Sequence, residues 1–438
     1  MDINRKTAYT VLLKTEKEQA YSNLELNRQI QLLKPDNPPF VRELVYGVLE
    51  NKIYLDHILS SLIPKGLRGI KKQVLTLLRM GLYQIIFMDS VPSYAAASET
   101  VKLAKKLTPG RDGFINGVLR GYEKKKETIV LPDRSRNLIE YLSVRYSYTE
   151  WIVKLWLSIF GEEKTERLLA AGNERPDISV RVNFLKTDRK SLASALEKQG
   201  FQTKESSESS RVLLVKGSGL LDTVQYREGY FSMQDTASVL AAEALCAKPG
   251  ETVLDICAAP GGKSLALAEI MENTGLIRSF DIYRHKLSLL EREAERLGIS
   301  IVETEENDGC AIRSDLSETA DCVLVDGPCS GLGVIRRKPE IKYKEISDDG
   351  ASLAEKQLRI LTVSSRYVKP GGILQYSTCT VNRLENEDVV RQFLENHREF
   401  VKVFERQLLP DTDAADGFYI CRMEKRGIVK GEYYGGRL

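Results

Sequence analysis

The apolar positions of the first 126 residues recur every three to four residues, the spacing of one helix face. The stretches VLLKTEKEQAYSNLELNRQIQLL (11–33), PPFVRELVYGVLENKIYLDHILSSLI (38–63), KKQVLTLLRMGLYQIIF (71–87), SYAAASETVKLAKKL (93–107) and DGFINGVLRGYEKKK (112–126) all read this way. Pro35, Pro38, Pro39, Pro64, Pro92 and Pro109 punctuate them. Proline fits the first turn of a helix and breaks its interior. No run alternates apolar and polar residues. Residues 1–140 are therefore expected to form an all-α helical bundle of six or seven helices.

The pattern then changes twice. Residues 141–230 mix a helical run, WIVKLWLSIFGEEKTERLLAAGN (151–173), with strand-like ISVRVNF (178–184) and RVLLVKG (211–217) and a helical SLASALEKQG (191–200). This predicts a small α+β module, with ESSESS (205–210) as an exposed loop. From 231 to 438 the order is strand, glycine turn, helix, repeated. Strands are expected at 252–256, 276–281, 301–304, 321–326 and 372–377, with helical runs between them. That is a doubly wound, Rossmann-like α/β domain with a mostly parallel sheet.

Composition narrows the class without changing the architecture. Hydrophobic residues are 42% and charged residues 29% of 438, which suits a globular chain. No apolar run reaches the roughly 18 residues of a membrane helix, and the N-terminus lacks a signal-type apolar core. A cytoplasmic protein with no membrane association is expected, and a monomer. Residues 1–145 carry 24 Lys and Arg against 15 Asp and Glu, whereas the remainder carries 40 against 46. A basic first part suggests an anionic partner such as nucleic acid, or simply a solvated helical surface. The seven cysteines all lie at or after Cys246, without a C-x-x-C pair, and there are three histidines. Free thiols and no metal site are expected.

The candidate chemistry begins at CAAPGGKS (257–264), between a strand and a helix. A phosphate loop would need glycine where Cys257 stands, and a dinucleotide fingerprint would need G-x-G-x-x-G. What remains is a nucleoside-binding turn, in which Cys257, Ala258, Ala259, Pro260, Gly261, Gly262 and Lys263 lie against a ligand, or a tight turn with no ligand. The carboxylates favour a cleft. Asp281, Asp308 and Asp326 each end or follow a strand, at the edge where such sheets bind ligands, and a carboxylate can accept from two ribose hydroxyls. With no cradle for phosphate, S-adenosylmethionine is the expected cofactor.

Two cysteines fall at the same rim, in DGPCSGLG (326–333) and STCT (377–380). A cysteine is more often a small buried hydrophobe, yet Cys329 and Cys379 sit in polar turns, the setting of a usable thiol. Carbon 5 of cytosine is a poor nucleophile until a thiolate adds to carbon 6. A second thiol can take part in the later elimination. Asp326 is positioned to hydrogen-bond the base edge, and Lys263 either polarises a group nearby or is a solvated lysine at a helix start. A base inside a duplex cannot present carbon 6, so the target must be unpaired or flipped out. Arg336, Arg337 and Lys338, just beyond the Cys329 turn, are candidate RNA-phosphate contacts or a solvated basic loop.

VLDICAAPGGKS, DGPCSGLG and STCT together resemble the RNA cytosine-5 methyltransferases, and in particular those acting on bacterial 16S rRNA. MQDTAS (233–238), GVIRRKPEI (333–341) and ENED (385–388) are similar to that family, and RELVYGVL (42–49), RMGLYQ (79–84) and FINGVLR (114–120) to its NusB-like RNA-binding domain. The resemblance spans nearly the whole chain. It implies a NusB-like bundle, a small module and a class I methyltransferase domain, with Cys379 as nucleophile and Cys329 assisting release. It implies cofactor contacts from residues 257–263, Asp281, Asp308 and Asp326. Gly327, Ser264, Asn307 and Tyr283 depart from the family's usual residues. The expected activity is cytosine-5 methylation of 16S rRNA; the alternatives are another RNA, such as tRNA, or an inactive RNA-binding assembly factor.

Overall fold

The computed structural model describes residues 2–18, 22–344 and 350–427. The chain divides into two compact units. One comprises Met1–Glu174 together with Ile335–Glu345, the other Arg175–Val334 with Ile346–Leu438.

The first unit is all-helical. Helices span Ile3–Glu18, Ser22–Leu33, Pro38–Glu50, Lys52–Leu62, Lys72–Phe87, Ser93–Leu107 and Asp112–Lys125, followed by Leu138–Tyr146 and Glu150–Ala171. Leu44, Val45, Leu77, Leu78 and Leu119 are among the side chains of one continuous core. Prolines 38 and 39 open their helix behind Asn37, whose side chain accepts from Phe40 N–H at 3.0 Å. The single run expected over 38–63 is two helices. Asn51 divides them, because its backbone leaves the helical region and its N–H and side chain both close on the Gly47 carbonyl. The long run from Glu150 is broken at Gly161, where φ is +74°, a value that favours glycine.

Ile335–Glu345 belongs with this unit for a visible reason. Ser22 donates to the Glu340 carboxylate from its N–H (3.1 Å) and hydroxyl (2.7 Å). Tyr343 OH donates to the Leu49 carbonyl at 2.5 Å. Lys342 is buried, donating to the Glu50 carbonyl and to Asn173, with its ammonium 4.1 Å from the centre of the Tyr148 ring. Burial pushes its pKa down to about 7.

The second unit holds two sheets. The smaller, from β1 (Ile178–Val182), β2 (Gln202–Glu205), β3 (Val212–Lys216) and β4 (Phe231–Met233), is antiparallel in the order β2-β3-β1-β4. The larger contains β5 (Thr252–Asp255), β6 (Leu276–Asp281), β7 (Val302–Glu306), β8 (Ala320–Asp326), β9 (Val368–Thr378), β10 (Phe400–Leu408) and β11 (Phe418–Lys425). Its order is β10-β11-β9-β8-β5-β6-β7, with the last five parallel and the β10–β11 hairpin antiparallel to β9.

Side chains alternate across this sheet. Leu254, Val323 and Val325 enter one core, with Ile360 and Leu361 of helix Ala351–Ser365 and Phe393 of helix Glu387–Asn396. Val253, Cys322 and Leu324 enter another, with Leu265 of helix Gly262–Ile270 and Leu290 of helix Arg284–Leu297. Both faces are covered, as a largely parallel sheet requires. After β5 the chain moves outward to β6 and β7, then returns to the other side of β5 to form β8 and β9. The reversal opens a crevice at the carboxyl ends of β5 and β8, where sheets of this kind bind ligands.

Candidate active site

The turn leaving β5 forms one wall of the crevice. Gly261 has φ +104°, and a Cβ there would lie 2.4–2.8 Å from Leu290 side-chain atoms. The glycine is therefore required by the turn and by packing against helix Arg284–Leu297, before any ligand is considered. Ala258 N–H donates to the Phe280 carbonyl at 2.8 Å, tying the turn to β6. The Cys257 side chain packs on the apolar core and burial pushes its thiol pKa upward. Of this residue only the backbone is suited to a polar ligand.

Asp255, at the end of β5, is 1% exposed. Ser264 donates to its Oδ2 at 2.6 Å, while Oδ1 is buried with no hydrogen bond. Burial raises its pKa to about 7. Arg181 of β1 braces the turn from behind. It pairs with Glu269 at 3.0 and 2.9 Å and donates to the Gly262 carbonyl at 2.9 Å and to Gln234. Arg181 and Glu269 are both fully buried, so each charge depends on the other. Neither was legible as a site residue: Arg181 sits in a five-residue strand, and Glu269 reads as an ordinary helix glutamate.

Asp281 and Asp308 end adjacent segments of the rim. Each uses one oxygen to accept from its own loop, Asp281 from Tyr283 N–H at 3.0 Å and Asp308 from Cys310 N–H at 2.9 Å. Asp281 is half-buried and Asp308 exposed. Both thus do cap loops, and each carboxylate also has a second oxygen.

The other wall carries the thiols. Cys329 follows β8 and Cys379 follows β9, and their sulfurs are 3.3 Å apart without a disulfide. The parallel pairing of β8 with β9 brings them together, with Asp326 opposite Ser377. Ser377 Oγ donates to Asp326 Oδ1 at 2.9 Å, and Lys263 Nζ lies 2.5 Å from Asp326 Oδ2. Lys263 is not a solvated helix-start lysine. Burial works against its charge, but Asp326 outweighs that and raises its pKa. The hydrogen bond with Cys379, then burial, raise the Cys329 thiol well above its ordinary value.

The crevice thus unites Lys263, Asp326, Cys329 and Cys379, with the 257–263 turn and Asp281 along the same strand ends. Arg336, Arg337 and Lys338 follow the Cys329 turn in the chain. These are half-buried, in the segment grouped with the helical unit. Among the described residues no cluster of three or more His, Cys, Asp or Glu could hold a metal, and no helix is long and apolar enough to cross a membrane. In the sequence Glu385 stands out only as part of the family-like segment ENED, which assigns it no role in the site. Its fully buried carboxylate accepts from Ser330 N–H, beside Cys329.

The glycine turn, the strand-end carboxylates and the paired thiols thus lie at one edge of a Rossmann-like sheet, and comparison with known proteins gives the class. Residues 242–424 match the family model described as 16S rRNA methyltransferase RsmB/F, residues 2–124 the NusB family, and residues 148–220 the ferredoxin-like domain of RsmF/B-like methyltransferases. The probable ribosomal RNA small subunit methyltransferase B of Bacillus subtilis is 40% identical, covering 97% of this chain and 99% of its own. The chain belongs to the ribosomal RNA small subunit methyltransferase B family. Among solved structures, that of PH0851 is similar with TM-score 0.82 and 26% identity, over 96% of this chain and 98% of its own. That of a methyltransferase homolog from Pyrococcus horikoshii has TM-score 0.59 and 28% identity, over 65% and 97%.

Proposed function

We propose that this protein methylates carbon 5 of a cytosine in 16S rRNA through a transient bond between Cys379 and carbon 6 of the ring. The observation that carries the reading is the 3.3 Å pair of sulfurs beside the Lys263–Asp326 ion pair. S-adenosylmethionine supplies the methyl group. The residues fit that donor: the turn at 257–263 allows close approach of a nucleoside, and Asp281 and Asp308 each carry an oxygen suited to ribose hydroxyls.

The neighbouring sulfur and burial disfavour the Cys329 thiolate, so the proton of the pair is assigned to Cys329. Its S–H then donates toward Cys379, which favours the charged form of Cys379. The Lys263 ammonium adds to this, because it and the Cys379 sulfur interact electrostatically. Cys379 attacks carbon 6, and carbon 5 becomes enamine-like and takes the methyl group. A base takes the carbon-5 proton, and the electron pair of that bond re-forms the C5=C6 double bond as the Cys379 thiolate leaves. Cys329 assists that expulsion. Asp326, held by Ser377 and Lys263, is assigned the hydrogen bond to the base edge.

The target cytosine is unpaired or flipped out. Arg336, Arg337 and Lys338 and the basic helical unit contact RNA phosphates, so affinity should fall steeply with salt. We read the protein as a cytoplasmic monomer, with residues 1–140, 141–230 and 231–438 as its three functional parts. The test is transfer of label from S-adenosylmethionine to unmethylated RNA, followed by mapping. Label at carbon 5 of a cytosine in 16S rRNA is the expected result. Label in tRNA alone would reassign the substrate, and bound RNA without label would leave an assembly factor.

A further inference from the structure

We infer that Glu385 is a positioning residue for methyl transfer: its carboxylate joins the turn carrying Cys329 to the turn carrying Cys379 and so sets the separation of the two sulfurs. The catalytic consequence rests on the reading of the thiols above; the joining itself does not.

Glu385 is 0% exposed, in the short 3-10 turn Arg383–Glu385 beyond β9. Its Oε2 accepts from Ser330 N–H at 2.8 Å and from the Gln357 amide at 3.1 Å. Its Oε1 accepts from the Asn382 amide at 3.0 Å. The same Gln357 amide donates to the Pro328 carbonyl at 2.8 Å. Both chain neighbours of Cys329 are thereby fixed, one directly and one through Gln357. On the other turn, Thr380, next to Cys379, shares a hydrogen bond with Ser330 at 2.8 Å. The Cys379 carbonyl accepts from Gly333 N–H at 3.0 Å, and Tyr376 OH donates to the Glu385 carbonyl at 2.6 Å.

The choice of a carboxylate is informative. A buried carboxylate is costly unless its oxygens are well satisfied. Here three donors converge on it, one on Oε1 and two on Oε2, so a side-chain NH2 in place of either oxygen faces at least one donor. A glutamine of the same shape fills the space but turns a donor toward donors. The position therefore uses two acceptors: Oε2 holds the backbone on either side of Cys329, directly at Ser330 and through Gln357 at Pro328, and Oε1 holds Asn382 beyond Cys379. Misplacement of reacting groups by about 1 Å can cost about 10²-fold in rate.

The experiment compares full-length Glu385→Gln and Gln357→Met with the parent in two assays. The first uses diamide, which takes two hydrogens from a pair of thiols to give one disulfide and a hydrazine. Cys329–Cys379 coupling is timed and mapped by peptide mass. The second follows covalent protein–RNA adduct and released methylated product in a single turnover. The expected result is coupling about tenfold slower in Glu385→Gln, with adduct accumulating at the expense of product, and a smaller effect of the same kind in Gln357→Met. A merely structural glutamate would lower melting temperature and all yields together and leave the partition unchanged. Parental coupling in Glu385→Gln overturns the inference. Should that variant not fold, parental coupling in Gln357→Met does so. Slow coupling in the variants, with no adduct from the parent on RNA, would instead remove the covalent reading and leave the positioning intact.

Discussion

The strand-end carboxylates on one side of the crevice and the polar side chains around the thiols on the other are held in different ways. On the β5–β7 side, Asp281 and Asp308 sit at or near the surface, each capping its own loop through one oxygen. On the β8–β9 side, Glu385, Thr380 and Asn382 are fully buried, and hydrogen bonds run from one turn to the other. Holding a nucleoside tolerates small displacements, because several contacts share the task. Directing a sulfur at one carbon does not. On the proposed reading, Asp281 and Asp308 hold a ligand with local order, while the groups around the thiols are ordered over long range where bonds would be made.

That contrast can be broken at four points. Cys379→Ala should have the largest effect, a fall in methyl transfer of at least about 10³-fold, as expected when a nucleophile is removed. Full-rate methylation by this variant would abolish the division of labour between the walls. Cys329→Ala should lower turnover by roughly 10²-fold, the scale of one lost acid–base partner, while adduct builds up on a denaturing gel. Clean release would show that one sulfur suffices. Asp281→Asn should act on the other wall, raising KM for the methyl donor about tenfold, the worth of a hydrogen bond to a charged group, with little change in kcat. A kcat loss equal to that of the thiol variants would erase the contrast.

The smallest effect concerns Asp255, beneath the turn. Burial holds its carboxyl near a pKa of about 7, whereas the unfolded chain releases that proton near pH 4. The folded state binds the extra proton in between, so its relative stability declines as pH rises from about 4 to about 7 and changes no further above that. Asp255→Asn has no such proton. Its melting temperature should gain on the parent's by a few degrees across that window; a constant difference would show that Asp255 is ionised throughout.

Much of this was legible in one dimension. The helical bundle followed from apolar spacing. Five parallel strands were expected within a few residues of β5 to β9, because buried strands carry continuous apolar runs such as DCVLVD. The misses have particular causes. β2, QTKE, is a polar four-residue edge with no pattern to detect, and β10 alternates imperfectly because it lies at the sheet's edge. The division between compact units at Glu174 and Arg175 has no composition shift to mark it, since the helices at Leu138–Tyr146 and Glu150–Ala171 pack with the bundle. The cysteines, Lys263 and Asp326 announced themselves by residue type and turn context. Glu385 and Arg181 did not, because a buried glutamate and a solvated one are the same letter.

Local sequence by itself determined the elements, the glycine turn and the presence of two thiols with nearby carboxylates, since propensity, periodicity and turn chemistry act over a few residues. Only the tertiary structure decided that Cys329 and Cys379, fifty residues apart, touch. It also decided that Lys263 answers Asp326 rather than solvent, and that a basic loop following the active-site turn packs with the helical unit. Those outcomes depend on which strands pair and what burial does to each charge, and neither is a property of neighbouring residues.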